Sequence, residues 1–340
     1  MHKYSTIGRI IAVTSCKGGV GKSTISVELA RRLAVRGHRV GIFDADVYGP
    51  SLPTQLPASL SAQNVQLAQD GHSVVPLVHE ADGYAIKVMS FGWFARLWSP
   101  GVHTGGEVQD WRGSNPTPGV GMEFGPDVRM LWISCRATSR AFARPLPQLA
   151  TKLLHTTAWG ELDYLVVDSP PGTGGVAQAL VAKVPLWGAV VCTTPSKLAK
   201  SDVVRGLAML QRLHVPVLAV VENMASFQCG SCSEVHFPFG RTHLRDVLES
   251  VGPAGRAVGS SDTVPTFSLP IVPDADDARP DVHAAAATAL VAQFDAMAES
   301  LERSSTTVAT QTGVSLPHGL CSSERPHWPT EMANAQVSML

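Results

Sequence analysis

Charged residues are scarce in this sequence: Asp, Glu, Lys and Arg make up 16% of it, and 27 basic side chains nearly balance 28 acidic ones. No long basic run occurs, which argues against a nucleic-acid surface as the main binding site. No apolar run approaches the ~20 residues that a transmembrane helix needs. We therefore expect neither nucleic acid nor a membrane among the partners of this chain.

Cysteines are also few, six in 340 residues, and no secretory signal precedes them. This excludes a disulfide framework as the basis of the fold and indicates a reducing compartment. The first predicted strand begins by about residue 9, which leaves no room for a cleavable presequence. We expect a cytoplasmic protein, with a mitochondrion or plastid as the alternative if the native N-terminus is longer.

Apolar residues are abundant, at 44% of the chain, which is enough for a large core. Short apolar runs alternate with segments of helical periodicity. Strands separated by helices predict right-handed βαβ crossovers and an α/β fold with a doubly wound, mostly parallel sheet. The predicted strands are 10–14, 39–43, 85–89, 129–133, 164–167, 188–193 and 217–221. The predicted helices are 23–36, 146–155, 176–183, 201–213, 241–250 and 282–301.

Two segments depart from this alternation. A stretch rich in Gly and Pro at 98–126 predicts a long surface insertion, within a divergent region at about 95–130. Beyond residue 303 the composition becomes polar, which predicts a disordered tail. We therefore expect one nucleotide-binding domain over 1–302, interrupted by the insertion, and a tail over 303–340.

A glycine-rich loop follows the first predicted strand and leads into the first predicted helix. Its glycines let backbone N–H groups turn toward phosphate oxygens, and the helix N-terminus adds partial positive charge. Lys22 can reach the outer phosphates, and the Ser23 hydroxyl can bind Mg²⁺. A complete Gly-Lys-Ser-Thr ending in this context predicts a P-loop that binds ATP, rather than a structural relic of one. The predicted loop residues are Gly18, Gly19, Val20, Gly21, Lys22, Ser23 and Thr24.

Cys16 stands where the first glycine of the general P-loop pattern usually falls. If the backbone there needed a positive φ, a cysteine would be strained. A reactive thiol is another possibility. We expect instead that Cys16 is a small residue that the loop tolerates.

Aspartates follow two of the predicted apolar strands. Asp44 and Asp168 each end a strand, and Asp46 follows closely. In a parallel sheet these positions lie at the carboxyl edge, where ligands bind. A single aspartate at a strand end is more often a cap or turn former, but three together with a P-loop favour a functional site.

Cys229 and Cys232 form a CxxC motif, which places two sulfurs on one side of a tight turn. Two thiolates do not complete a tetrahedral site or a four-iron cluster. A symmetric dimer supplies four. The motif also occurs in zinc and redox sites, so a cluster, zinc, a redox dithiol and no metal all stay open at this point.

The motifs together resemble a known family. Residues 16–24 are similar to the deviant Walker A motif of the SIMIBI ATPases, which include the MinD, ParA and nitrogenase iron-protein groups. Four further segments resemble its Mrp/ApbC branch of iron–sulfur cluster carriers: 44–51, 159–174, 190–195 and 215–224. Cys16 and the segments 197–199 and 237–241 are similar to the branch typified by the chloroplast cluster scaffold of plants. The similarity covers most of 8–300.

The resemblance implies roles for the loop and strand-end residues. Lys17 corresponds to a lysine that crosses a dimer interface to the partner's nucleotide. Asp44 and Asp46 correspond to switch I, with Asp46 orienting the attacking water. Asp168 corresponds to the Walker B carboxylate that supports Mg²⁺, and Asn223 to the residue that reads the adenine edge.

This sequence departs from the family at one position of switch II, the turn at 172–174 that senses the γ-phosphate. The family usually continues with an aspartate where this chain has Gly175. We expect the missing carboxylate to affect the rate of hydrolysis or the coupling of hydrolysis to switch II, and to leave nucleotide binding intact.

The resemblance also implies a function. The chain is expected to be a slow ATP hydrolase that forms a homodimer, holds a [4Fe–4S] cluster between two Cys229/Cys232 pairs and transfers it to apo iron–sulfur proteins. A dimeric ATPase switch of the MinD or ParA type, without a cluster, is the alternative. Against it, no basic amphipathic helix follows residue 301, and the balanced charge suggests no DNA-facing patch. An electron-transfer reductase resembling the nitrogenase iron protein is also not expected, because that group places its cluster cysteines singly and far apart, unlike Cys229 and Cys232.

Overall fold

The computed structural model describes residues 4–94, 146–241, 264–272 and 280–311, together with 244 and 248–249, and excepting 48, 64, 71, 82 and 173. The chain divides into two compact units, Met1–Trp187 and Gly188–Leu340. The predicted insertion, the predicted strand at 129–133 and most of the predicted helix at 241–250 lie outside the described residues.

The first unit is built around a parallel sheet with one antiparallel edge strand. Its strands are β1 (Ile7–Thr14), β2 (Val40–Asp44), β3 (Gln66–Leu67), β4 (Val74–Val75), β5 (Leu77–Ala81), β6 (Tyr84–Ser90) and β7 (Leu162–Asp168). Its helices are α1 (Lys22–Val35), α2 (Leu52–Gln55), α3 (Ala58–Ser61), α4 (Phe91–Phe94), α5 (Leu146–Thr156) and α6 (Gly175–Lys183). The sheet order of the described strands in this unit is β1-β7-β2-β6-β5, and of these only β5 runs antiparallel to its neighbour. Strands β3 and β4 form a separate antiparallel pair.

The described residues of the second unit form three parallel strands in the order β12-β9-β8 and a small hairpin. Its strands are β8 (Gly188–Thr193), β9 (Val217–Glu222), β10 (Phe227–Gln228), β11 (Val235–His236) and β12 (Thr266–Ser268). Its helices are α7 (Lys197–Arg212) and α8 (Pro280–Gln311). Strands β10 and β11 pair with each other and carry the CxxC motif in their connection.

The local sequence explains why the strands and the first helix form. Every residue of β2, β8 and β9 is buried, which matches the continuous apolar runs of a sheet covered on both faces. Helix α1 buries Ile25, Leu29 and Leu33 on one face, as their spacing predicts. The helix ends where Gly37, at φ 90°, takes the left-handed conformation and donates its N–H to the Ala34 carbonyl.

The predicted α/β class with a mostly parallel sheet is confirmed, and the predicted strands that fall in described residues form with ends shifted by up to three positions. Helix α7 begins at Lys197 rather than at 201, and α8 continues past Arg303 to Gln311, where the composition predicts a tail. The strands that were not predicted from the sequence are β3, β4, β5, β10, β11 and β12. The domain extent of 1–302 and the disordered tail over 303–340 stay predictions. Among the described residues, no helix is both long and apolar enough to span a membrane.

Candidate nucleotide site and cysteine hairpin

The glycine-rich loop lies between the buried end of β1 and the first turn of α1. Gly19 and Gly21 have φ of 76° and 80°, a conformation that side chains with a Cβ rarely adopt. Gly21 is also the N-cap of α1, and its carbonyl accepts the first helical hydrogen bond from Ile25 at 3.0 Å. Cys16 is not among the described residues with positive φ, so its backbone does not carry the strain considered for it. That the loop simply tolerates Cys16 stays a prediction.

Strand register brings two of the predicted aspartates into one row at the carboxyl edge of the first unit's sheet. Asp168 on β7 pairs with Asp44 on β2, and Asp44 pairs in turn with Ser90 on β6. All three side chains are fully buried. Two carboxylates and a hydroxyl therefore lie side by side at the carboxyl ends of three strands. The sequence predicted this position for the two aspartates.

Lys22 and Asp168 form a buried ion pair in this row. Lys22 Nζ lies 2.5 Å from Asp168 Oδ1, and both side chains are less than a tenth exposed. Ser26 Oγ lies 3.0 Å from the same carboxylate oxygen and 3.0 Å from the Lys22 carbonyl. Within the part of the chain that the structure describes, Asp168 Oδ2 is buried and has no hydrogen-bond partner. One oxygen of Asp168 is thus held by the protein, and the other is left for a ligand.

These groups fit the Mg²⁺ and phosphates that the sequence predicted. A hard cation prefers carboxylate, hydroxyl and water oxygens, and Asp168 Oδ2 is a buried carboxylate oxygen that lacks a partner among the described residues. Ser23 lies next to the ion pair, with its Oγ 3.4 Å from Lys22 Nζ. The backbone of the loop supplies N–H groups at the positively polarised end of α1.

Asp44 plays a different part, because its oxygens are occupied by the protein. Oδ1 accepts the Asp46 N–H at 3.0 Å, and Oδ2 accepts the N–H groups of Ser51 and Leu52 and the Ser90 hydroxyl at 2.9–3.1 Å. Burial raises the pKa of Asp44 from 3.8 to about 6, and the charge of Asp168 adds to the rise, while the hydrogen bonds oppose it. Asp44 therefore organises the segment that follows β2 and offers no open oxygen to a ligand.

We expect the raised pKa of Asp44 to make stability depend on pH. Between about pH 4 and about pH 6 the native protein holds a proton that the unfolded chain releases. The contribution of Asp44 to the free energy of unfolding therefore falls as pH rises through this window, by up to ~3 kcal/mol. Urea denaturation of the wild type and of Asp44→Asn across this range measures the effect, and the variant should show a smaller fall. Equal falls in the two proteins would contradict the assignment.

Three further parts of the predicted nucleotide site belong to the same unit as this row. Asp46 is half-buried in the turn after β2, and its Oδ1 accepts the Gly49 N–H at 3.1 Å. Lys17 is exposed at the start of the loop, and its carbonyl lies 2.9 Å from Ser15 Oγ. The Gly172 N–H donates to the Ser15 carbonyl at 2.8 Å, so the predicted switch II segment contacts the loop directly.

Asn223 belongs to the second unit and follows β9. Its backbone N–H donates to the Thr193 carbonyl at 2.8 Å, and its side chain is half-buried. The next residue, Met224, has a φ of 58°, which is uncommon for a residue with a side chain. The role of Asn223 in reading adenine stays a prediction.

The two cysteines of the CxxC motif lie in the connection of the β10–β11 hairpin. The Cys229 N–H donates to the Glu234 carbonyl, and the Ser233 N–H donates to the Cys229 carbonyl. Cys229 is half-buried and Cys232 is exposed. Hydrogen bonds from the Cys232 and Ser231 backbone N–H groups, and then from the Cys232 side chain, lower the pKa of the Cys229 thiol. The thiolate is the form that binds metals, so the hairpin favours the ligand form of Cys229.

The sequence analysis missed several residues of these sites. Ser26 lies four positions after Lys22 on α1, and this helical spacing was a signal that both face the same side. Ser90 has no local signal, because only strand pairing places it beside Asp44. Glu234 and His236 were also missed, although they follow Cys232 at spacings of two residues.

A parallel sheet whose first strand leads through a glycine-rich loop into a helix, with a lysine and an aspartate paired at its carboxyl edge, defines a P-loop NTPase. The family model ParA, described as NUBPL iron-transfer P-loop NTPase, matches residues 6–110 and 144–301. The chain belongs to this family.

Individual relatives are similar over most of the chain. The Fe-S cluster assembly factor HCF101, chloroplastic, of Arabidopsis thaliana is 39% identical over 277 residues, which cover 78% of this chain and 43% of that protein. The iron-sulfur cluster carrier protein of Escherichia coli K12 is 36% identical over 234 residues, covering 69% of this chain and 51% of that protein. The chain thus spans about half the length of these curated relatives.

One solved structure supports the nucleotide-binding class. The nucleotide-binding protein from Archaeoglobus fulgidus, in complex with ADP, is 27% identical, with a TM-score of 0.55. The match covers 85% of this chain and 90% of that chain.

Proposed function

We propose that this protein is an ATP-dependent iron–sulfur cluster carrier, which holds a [4Fe–4S] cluster between the cysteine hairpins of two copies and transfers it to apo iron–sulfur proteins. The observation that carries the proposal is the CxxC hairpin, with the pKa of Cys229 lowered, in a chain that also has a P-loop. The names of the relatives support it, since one is a cluster carrier protein and one is a cluster assembly factor.

The nucleotide half of the function rests on Lys22, Ser23 and Asp168. The phosphates of ATP compete with Asp168 for Lys22, because both are anionic partners of one buried cation. When Lys22 turns to the phosphates, Asp168 Oδ1 keeps the hydrogen bond from the Ser26 hydroxyl, and Oδ2 is left for Mg²⁺ or its bound water. Mg²⁺ held by Asp168 and the Ser23 hydroxyl would neutralise charge on the phosphates. Asp46 then orients the attacking water, and Gly172 and Gly174 belong to the turn that responds to the γ-phosphate.

The cluster half of the function requires two copies of the chain. Each hairpin offers two thiol groups, and a [4Fe–4S] cluster takes four cysteine ligands. A symmetric homodimer places two identical hairpins on opposite sides of its axis and supplies all four. Lys17, which is exposed on the loop, reaches the partner's nucleotide in the same dimer. In this proposal, ATP hydrolysis changes the geometry of the dimer. That change controls when the cluster is loaded or released.

Anaerobic reconstitution with iron and sulfide tests the proposal. The wild type is expected to gain broad visible absorption and about four irons per dimer. The double variant Cys229→Ser/Cys232→Ser should gain neither, because serine does not replace thiolate as a cluster ligand. Cys16→Ser is the matched control, since it removes a half-buried cysteine outside the hairpin. If wild type and double variant both stay colourless, a dimeric ATPase switch without a cluster is the better description.

A further inference from the structure

The hairpin carries more metal-binding groups than its two cysteines. The ligand atoms of Cys232, Glu234 and His236 all lie within 4.8 Å of one another, and all three residues are exposed. His236 Nε2 is 4.0 Å from Glu234 Oε2. Within the described residues, no other group of three or more His, Cys, Asp and Glu side chains has its ligand atoms this close.

The backbone of the hairpin explains why these three side chains meet. Glu234 directly precedes β11 and His236 is the second residue of β11, so the two side chains are two positions apart along the chain. Ser233, at a φ of 63°, turns the chain between Cys232 and this segment. The Ser233 N–H donates to the Cys229 carbonyl, and Gln228 Nε2 donates to the Ser233 carbonyl at 3.1 Å. The turn that orients Cys232 is therefore fixed by hydrogen bonds on both sides.

We propose that Cys232, Glu234 and His236 of a single chain form a binding site for one divalent transition-metal ion. Thiolate, imidazole and carboxylate are the ligands that zinc takes in proteins, and Fe²⁺ and Co²⁺ accept the same set. Tetrahedral bonds of ~2.0–2.3 Å require the ligand atoms to move closer together than 4.8 Å. Exposed side chains make this adjustment by changing rotamer. The fourth position is left to solvent.

This site differs from the proposed cluster site in its ligands and in its copy number. The cluster needs Cys229 and Cys232 from two chains, whereas the single ion needs Cys232, Glu234 and His236 from one. Cys232 is common to both, so a chain that holds the single ion cannot hold the cluster at the same time. The inference does not rest on the proposed function, because a chain without a cluster still has these three groups.

Cobalt binding to the full chain tests the proposal. The reduced, nucleotide-free protein is titrated anaerobically with CoCl₂, while the thiolate-to-cobalt charge-transfer band and the visible d–d bands are followed. We expect one Co²⁺ per chain, with d–d intensities typical of a tetrahedral site, and displacement of cobalt by Zn²⁺. His236→Ala and Cys232→Ser should lower the affinity by more than the ~10–100-fold that loss of an outer-shell partner costs. His72→Ala, a control at another exposed histidine, should bind cobalt as the wild type does.

Three results would overturn the site. One is no cobalt binding by the folded wild type. Another is half an ion per chain that depends on Cys229 and Cys232 but not on His236, which indicates a four-cysteine site between two copies. A third is equal binding by His236→Ala and wild type. Cluster reconstitution of His236→Ala separates this proposal from the proposed function, because the cluster should form there as in the wild type.

Discussion

Lys22→Ala is expected to abolish ATP hydrolysis. The side chain is the one buried cation among the described loop residues, and without it the phosphates lose their principal positive partner. The same change leaves the buried carboxylate of Asp168 without its ion-pair partner, and should lower the free energy of unfolding by about 3–5 kcal/mol. Phosphate release measures the first effect and urea denaturation the second.

A double variant distinguishes the loss of ATP hydrolysis in Lys22→Ala from its loss of stability. Lys22→Ala/Asp168→Asn removes both buried charges, so it should recover much of the stability that Lys22→Ala loses and still be inactive. Lys183→Ala, at an exposed lysine on α6, should behave as the wild type in both assays. Turnover that persists in folded Lys22→Ala would contradict the assignment of the phosphate loop.

Asp46→Asn is expected to keep ATP binding and to lose most hydrolysis. Asparagine keeps an oxygen acceptor for the Gly49 N–H, so the turn after β2 is preserved. It lacks the negative charge that, in the proposed function, positions and activates the attacking water, and loss of such a group slows reactions by ~10²–10⁴-fold. Nucleotide binding by calorimetry and single-turnover hydrolysis report the two effects separately.

The control for Asp46 is another turn-forming aspartate. Asp70 accepts the N–H groups of His72 and Ser73 and the Ser73 hydroxyl in an exposed turn. Asp70→Asn should therefore leave both binding and hydrolysis unchanged. Hydrolysis by Asp46→Asn at the wild-type rate would show that Asp46 only shapes its turn.

Asp44 and Asp46 show which properties of the site could be predicted from the sequence. Both Asp44 and Asp46 were predicted as functional because they follow an apolar strand beside a P-loop. The structure separates them: Asp44 is fully buried with protein donors on both oxygens, whereas Asp46 is half-buried. Burial and hydrogen-bond partners depend on residues distant in the chain, such as Ser90, and no local pattern encodes them.

The sequence by itself determined the strand, the glycine-rich loop and the first helix of the predicted phosphate site, because glycine conformation, helix periodicity and strand burial are local properties. The CxxC motif and the family resemblance could also be recognised from the sequence alone. Tertiary structure alone decided that Lys22 pairs with Asp168, that Ser90 restrains Asp44, and that Asp44 has its pKa raised to about 6. It also placed Glu234 and His236 beside Cys232. Strand register and turns place these groups, so their distances and charges become known only once the chain is folded.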